Sequence, residues 1–188
     1  MMTIWKSTIQ SKLDYCSQLW SPNDPCSIGR LESVAKNFTS QIARLEGKDN
    51  WERLIYLRLY SQERCRERYQ IIFLWKVGQG LVRGYHVEFY NSERRGRLAA
   101  VPQYKSRAPS QVRRAREASL SVKGAKLFNS IPRELRDLNH SKVDAFKSGL
   151  DEWLSHIPDQ PTIPDRQRAA LTNSLLDQIV LHYPNSFP

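Results

Sequence analysis

Apolar residues recur at steps of three and four in both outer parts of this chain, and that spacing commits those parts to helices. In RLESVAKNFTSQIARL, residues 30–45, the side chains of Leu31, Val34, Phe38, Ile42 and Leu45 make one stripe along a helix of about four turns. Gly47 is a natural stop for it. Asn50, with Arg53 three residues on, stands where an N-cap would open a further helix through WERLIYLRLY. A second stripe, Cys65, Tyr69, Ile72 and Trp75, runs through LYSQERCRERYQIIFLWK, residues 59–76. This helix reads as wet and arginine-rich at its start and buried at its end. Glu63 with Arg66, and Arg64 with Glu67, are opposite charges three residues apart and are expected as solvated pairs on an exposed face.

Order returns near the other end of the chain. GAKLFNSIPRELRDL reads as a short helix, a turn at Ile131-Pro132 and another helical turn. Val143, Phe146, Leu150, Trp153 and Leu154 then form a third amphipathic stripe, with Ser141 as its cap. Pro158, Pro161 and Pro164 end it in an extended linker, and a last helix is expected over residues 166–181 with Leu171, Leu175, Leu176 and Ile179 facing inward. The fold class is therefore mainly α, with Trp75 and Phe146 in the core.

Between these helical parts the texture changes. Residues 83–126 hold eleven Lys and Arg against three Asp and Glu, which is most of the formal net charge of +10 on 188 residues. Gly84, Gly96, Pro102, Pro109 and Gly124 interrupt any periodicity there. RLAAV and SLSV are expected as two strands of one small β ribbon. Three regions follow: 1–82 helical, 83–126 a basic loop and ribbon, 127–188 helical.

An excess of this size points to a polyanion, and nucleic acid is the natural one. The candidate phosphate clamps are Arg94, Arg95, Arg97, Lys105, Arg107, Arg113, Arg114, Arg116, Lys123 and Lys126, with Arg66 and Arg68 on the helix before them. Such contacts fix position and carry no base readout. Tyr85, Phe89, Tyr90 and Tyr104 interleave with the basic groups, as stacking on unpaired bases requires; anchoring of the loop to the core is the alternative.

Other chemistries find little support. Cys16, Cys26 and Cys65 are an odd and widely spaced set with no CxxC pair, and the four histidines are scattered, so reduced thiols and no metal centre are expected. No serine stands in a G-x-S-x-G context. No apolar run approaches the ~20 residues of a membrane span, and MMTIWKSTIQ has no signal-type stretch. An intracellular setting, nucleus or cytoplasm, with no cofactor and no membrane partner, is the expectation.

Six blocks carry a family likeness. LDYCSQLWSP (13–22), RLESVAKNFT (30–39), WERLIYLRLYSQERCRERYQIIFLWKV (51–77), RRGRLAAVP (94–102), SLSVKGAKLFNSIPRELRDL (119–138) and VDAFKSGLDEWLSHIPDQP (143–161) resemble, in this order, the region after the polymerase core of non-LTR, LINE-type and jockey-like retrotransposon reverse transcriptases. The resemblance implies that residues 1–82 correspond to the end of the thumb and a connector. It implies RNA or DNA as partner, and the rest of a polymerase as another. That family polymerises with an aspartate pair in its palm domain, and this sequence has no Asp-Asp dipeptide. Metal-dependent phosphoryl transfer needs clustered carboxylates, so no enzyme activity is expected of this chain alone. The alternative to a nucleic-acid-binding module is a helical scaffold that is inert by itself.

Overall fold

The computed structural model describes residues 2–22, 24–104, 107–138, 142–160 and 173–183. The chain enters through three short helices, α1 (Met2–Ile4), α2 (Ser11–Asp14) and α3 (Ser17–Trp20), with a π-helical stretch, Trp5–Gln10, between the first two. Helix α4 (Pro25–Ser40) starts where the Asp24 carboxylate accepts from the Ser27 amide at 2.8 Å and Pro25 fills the first helical position. It ends at Ser40, well before Gly47. Arg53 sets that end: its Nε donates to Thr39 at 3.2 Å and its Nη1 to the Lys48 carbonyl at 2.6 Å, folding residues 41–48 into a turn.

Helix α5 (Asn50–Leu57) begins one residue earlier than Asn50 suggests as a cap. Asp49 is the cap, and Asp49 and Glu52 each accept the other's amide at 2.8 and 3.0 Å, a complete reciprocal box. Arg58, at φ 51°, closes α5, so α6 (Gln62–Gly78) starts afresh with Ser61 capping the Arg64 amide.

Only one sheet occurs among the described residues, the antiparallel pair β1 (Phe89–Ser92) and β2 (Gly96–Ala99). RLAAV thus supplies a strand as expected, but its partner is the preceding FYNS and not SLSV. SLSV is helical. It belongs to a π-helical stretch, Leu120–Gly124, that joins α7 (Ser110–Ala118) to α8 (Ala125–Ser130) and buries Val122. Helices α9 (Arg133–Arg136) and α10 (Val143–Ser155) follow as expected, whereas α11 (Leu175–His182) starts only at Leu175, since Ser174 before it is not helical, and so begins later than the residue 166 expected. Ser141 and Leu171 lie outside the described residues.

Helix α6 carries the core. Ile71, Ile72, Leu74 and Trp75 pack with Phe128 of α8, Phe146, Leu150 and Leu154 of α10, and Leu175 and Ile179 of α11. Trp75 stacks on Phe146 with centroids 4.6 Å apart, and its Nε1 donates to the Leu138 carbonyl at 3.2 Å, so a large buried ring has no orphan donor.

The charged start of α6 is buried too, which corrects the expectation of an exposed face. Arg64 is 0% exposed and Glu67 1% exposed. This end is wedged between the N-terminal helices and residues 158–160 and 173–178, and carboxylates here close the starts of α6 and α11. Glu32 of α4 accepts from the Gln62 and Glu63 amides at 3.0 and 2.8 Å, satisfying two of the free N–H groups that open a helix. Asp159 accepts from the amide and hydroxyl of Ser61 at 2.7 and 2.8 Å, while Arg64 Nη2 donates to the Pro158 carbonyl at 2.8 Å. Glu67 accepts from Ser174 Oγ and the Leu175 amide, at 2.9 and 2.7 Å, and so holds the start of α11.

Candidate nucleic-acid interface

The candidate clamps separate into three sets by what surrounds them. The first set faces inward. Lys123 Nζ lies 2.9 Å from Glu67 Oε1. Burial alone would lower its pKa, but Glu67 and Glu63 outweigh that and hold the ammonium firmly charged. Arg66 is buried beside Glu32 and Glu63, whose charges act on it. Arg68 grips Asp151 of α10 with two donors, Nη2 at 2.7 Å to one carboxylate oxygen and Nε to the other. Arg97 lies over the Phe89 ring at 4.7 Å and donates to the Gly78 carbonyl, tying the ribbon to the end of α6. These four side chains are structural members of the fold.

A second set faces outward. Arg107, Arg113, Arg114 and Lys126 are exposed. Arg113 has only a 3.8 Å contact with Glu117, one turn along α7, which is worth little in water. Arg116 lies 4.9 Å over the Tyr104 ring, so a flat cation and a half-exposed aromatic sit together at the surface. Lys105 lies outside the described residues.

The third set is built around the turn of the ribbon. Gly96, at φ +69°, closes that turn in a conformation glycine adopts without strain. The β2 edge is then fixed to the α8–α9 corner. Asn129 pairs with both the amide and the carbonyl of Ala99, at 2.8 and 2.9 Å, as a neighbouring strand would. Asp137 accepts from the Arg97 amide at 2.8 Å and from Arg133 Nε at 3.1 Å. Arg136 Nη2 reaches the Arg95 carbonyl at 2.7 Å. The result is a cleft of about 730 Å³ whose lining includes Arg94, Arg95, Arg133 and Arg136 together with Trp153, His156 and Tyr183. No carboxylate lines it among the described residues.

Arg133 and Arg136 are the functional candidates that charge counting missed. They sit in RELRDL, inside a C-terminal region whose acids outnumber its bases. The available signal was their three-residue spacing on one helical turn, which brings both guanidinium groups to one side. Arg136 is only 5% exposed, and its Nε and Nη1 have no partner among the described residues. Burial first, and the nearby Arg95 and Arg133 charges next, push its pKa below the ordinary value. A guanidinium still keeps its proton there, so Arg136 brings a charged but poorly solvated group to the site.

Of the four aromatic candidates, Tyr85 meets Phe73 edge-on at 5.4 Å and Phe89 meets Phe128 at 5.6 Å, so these two anchor the segment to the core. Tyr90 and Tyr104 remain exposed. No three His, Cys, Asp or Glu side chains stand together as a metal site among the described residues, and no described helix is long and apolar enough to cross a membrane. No family model matches the chain, and no curated protein or solved structure does either.

Proposed function

We propose that this chain is a C-terminal, non-catalytic piece of a non-LTR retrotransposon reverse transcriptase that binds RNA or DNA through backbone phosphates without sequence preference. The observation that carries the reading is the sorting of the basic side chains. Lys123, Arg66 and Arg68 lie against carboxylates and Arg97 is tied to Phe89 and the Gly78 carbonyl, whereas Arg107, Arg114 and Lys126 face solvent and Arg94 and Arg95 line the cleft. Exposed Tyr90 and Tyr104 add faces on which unpaired bases can stack.

Binding of the purified chain to unrelated single-stranded RNAs, measured against salt, tests this. With about five phosphate contacts, log K against log salt should have a slope of about −3.5. Replacing Arg107, Arg113 and Arg114 by alanine should weaken all sequences alike and flatten the slope by about two, at roughly 0.7 per contact. Absence of binding at low salt, or binding indifferent to salt, refutes it. The scaffold reading has its own support in the N-terminal helices, which leave Tyr15 76%, Leu19 82% and Ile55 71% exposed. Apolar surface of that kind suits a protein contact with the rest of a polymerase.

A further inference from the structure

We infer that the cleft between the ribbon turn and helices α9, α10 and α11 is a binding site for one nucleotide, taking its phosphate monoester on Arg95, Arg133 and Arg136 and its base against Trp153 and Tyr183. This rests on the nucleic-acid reading but goes beyond it, because a backbone-tracking surface needs no cleft sized for a single ligand.

Three features carry the inference. The first is the donor set. Arg136 lines the cleft with a side chain that is almost wholly buried, so its cation is poorly solvated there and an anion in the cleft would relieve that cost. The same side chain is held in place by its bond to the Arg95 carbonyl. Arg133 is likewise oriented by Asp137, at 3.1 Å. A phosphate monoester presents three acceptor oxygens and close to two negative charges, which is what several convergent guanidinium groups require. The second feature is size. At about 730 Å³ the cleft falls within the range that encloses a single small ligand, so it suits one nucleotide and not a run of them. The third is the aromatic part of the lining. Trp153 and Tyr183 add apolar and aromatic surface to the same cleft as the arginines, which matches a ligand with an anionic end and a flat end. A free anion would use only half of this lining.

The monoester can come from a free nucleotide or from the phosphorylated end of a strand. Titration of the full chain with adenosine monophosphate, inorganic phosphate and adenosine, followed by calorimetry, tests the shared chemistry. The monophosphate should bind about tenfold or more tighter than either part alone. A 5′-phosphorylated RNA octamer compared with its 5′-hydroxyl form separates the sources. Preference for the phosphorylated octamer assigns the strand end, and equal binding of the two octamers with retained monophosphate affinity assigns the free nucleotide.

Arg133→Ala, at an exposed position, and Arg136→Lys, which keeps the charge but loses the fork, should each lower monophosphate affinity several-fold when binding is measured where the urea curve shows the variant folded. Arg107→Ala with Arg114→Ala should leave it unchanged. Monophosphate binding no tighter than that of phosphate or adenosine, or unaffected by both cleft variants, overturns the proposal. If RNA still binds with a steep salt slope in that case, the nucleic-acid reading stands and only the pocket falls. If the monophosphate binds and RNA does not, the reverse holds.

Discussion

Lys123 is where a surface role and a structural role make opposite demands on one substitution. Lys123→Met keeps an unbranched side chain of similar volume and removes the ammonium that lies 2.9 Å from Glu67. Glu67 is 1% exposed and keeps two other donors, Ser174 Oγ and the Leu175 amide. Removing one partner of a buried pair costs roughly 3–5 kcal/mol, because the other charge is left uncompensated. Lys123 is itself 19% exposed, so water offsets part of this and the loss should fall near the lower end, at about 3 kcal/mol. With a urea dependence of roughly 2–3 kcal/mol per molar for a domain of this size, the unfolding midpoint should drop by about 1–1.5 M. The chain should still fold, since such domains hold about 5–15 kcal/mol.

The double variant Glu67→Gln, Lys123→Met removes both charges. A glutamine there can accept from Leu175 with its oxygen and donate to Ser174 with its amide, so a substantial part of the midpoint should return. RNA affinity, measured where both proteins are folded, should change less than about twofold, a small fraction of the tenfold that 1.4 kcal/mol represents. An unchanged midpoint accompanied by a several-fold loss of RNA affinity would show that Lys123 works as a surface clamp, and the assignment made from its contact with Glu67 would be wrong.

Burial and the adjacent Glu67 charge push the Glu63 carboxyl up to about 7, so the folded chain keeps a proton that the unfolded chain releases at a pH near 4.5. Stability from this group is complete below that lower value and is lost as pH rises to about 7, on the order of 3 kcal/mol, and Glu63→Gln should flatten the fall in Tm across this window; identical Tm–pH curves for the two proteins would refute it. Trp75→Ala removes a 1% exposed ring stacked on Phe146 and should cost about 3–5 kcal/mol, read as a lower urea midpoint, whereas an unchanged midpoint would remove Trp75 from the core. Gly96→Ala places a Cβ at φ +69° and 2.5 Å from Asp137 Oδ2, so it should destabilise by more than about 1 kcal/mol, and a variant as stable as the parent would contradict the geometry given for the turn.

Helix positions were legible because amphipathic spacing is a local property. Trp75, Phe146, Leu150 and Leu154 could be placed in a core from their spacing alone. Helix ends were legible only where the cap lies within a few residues, and even there the Asp49–Glu52 box was displaced by one position from the Asn50 expected. SLSV was misread as a strand because a four-residue apolar alternation does not separate a strand from a buried helical turn; its neighbour Ala125 continues the helix, and Val122 points inward. The partner strand FYNS carries little β signal of its own, and its pairing is fixed by the turn at Gly96, while the other edge of β2 is held by Asn129, thirty residues beyond Ala99.

The charged start of α6 was illegible for a different reason, and the same reason decides what the basic surface can be. Arg64, Arg68 and Lys123 were weighed against acids in their own neighbourhood, but their partners are Asp159, Asp151 and Glu67, from 56 to 95 positions away. Two of these three acids come from the C-terminal region whose bases are outnumbered. That region's surplus of carboxylates is therefore directed at the arginines of α6. The excess of residues 83–126 is left largely without such partners: among its described members Lys123 meets an interior carboxylate, Arg97 is held by Phe89 and the Gly78 carbonyl, and Arg94, Arg95, Arg107, Arg114 and Lys126 stay at the surface or around the cleft. A uniform scatter of cations would have been matched by acids close by. Directing the acids toward α6 leaves the bases of residues 83–126 with fewer compensating charges, and uncompensated cations of this kind are what a polyanionic ligand exploits.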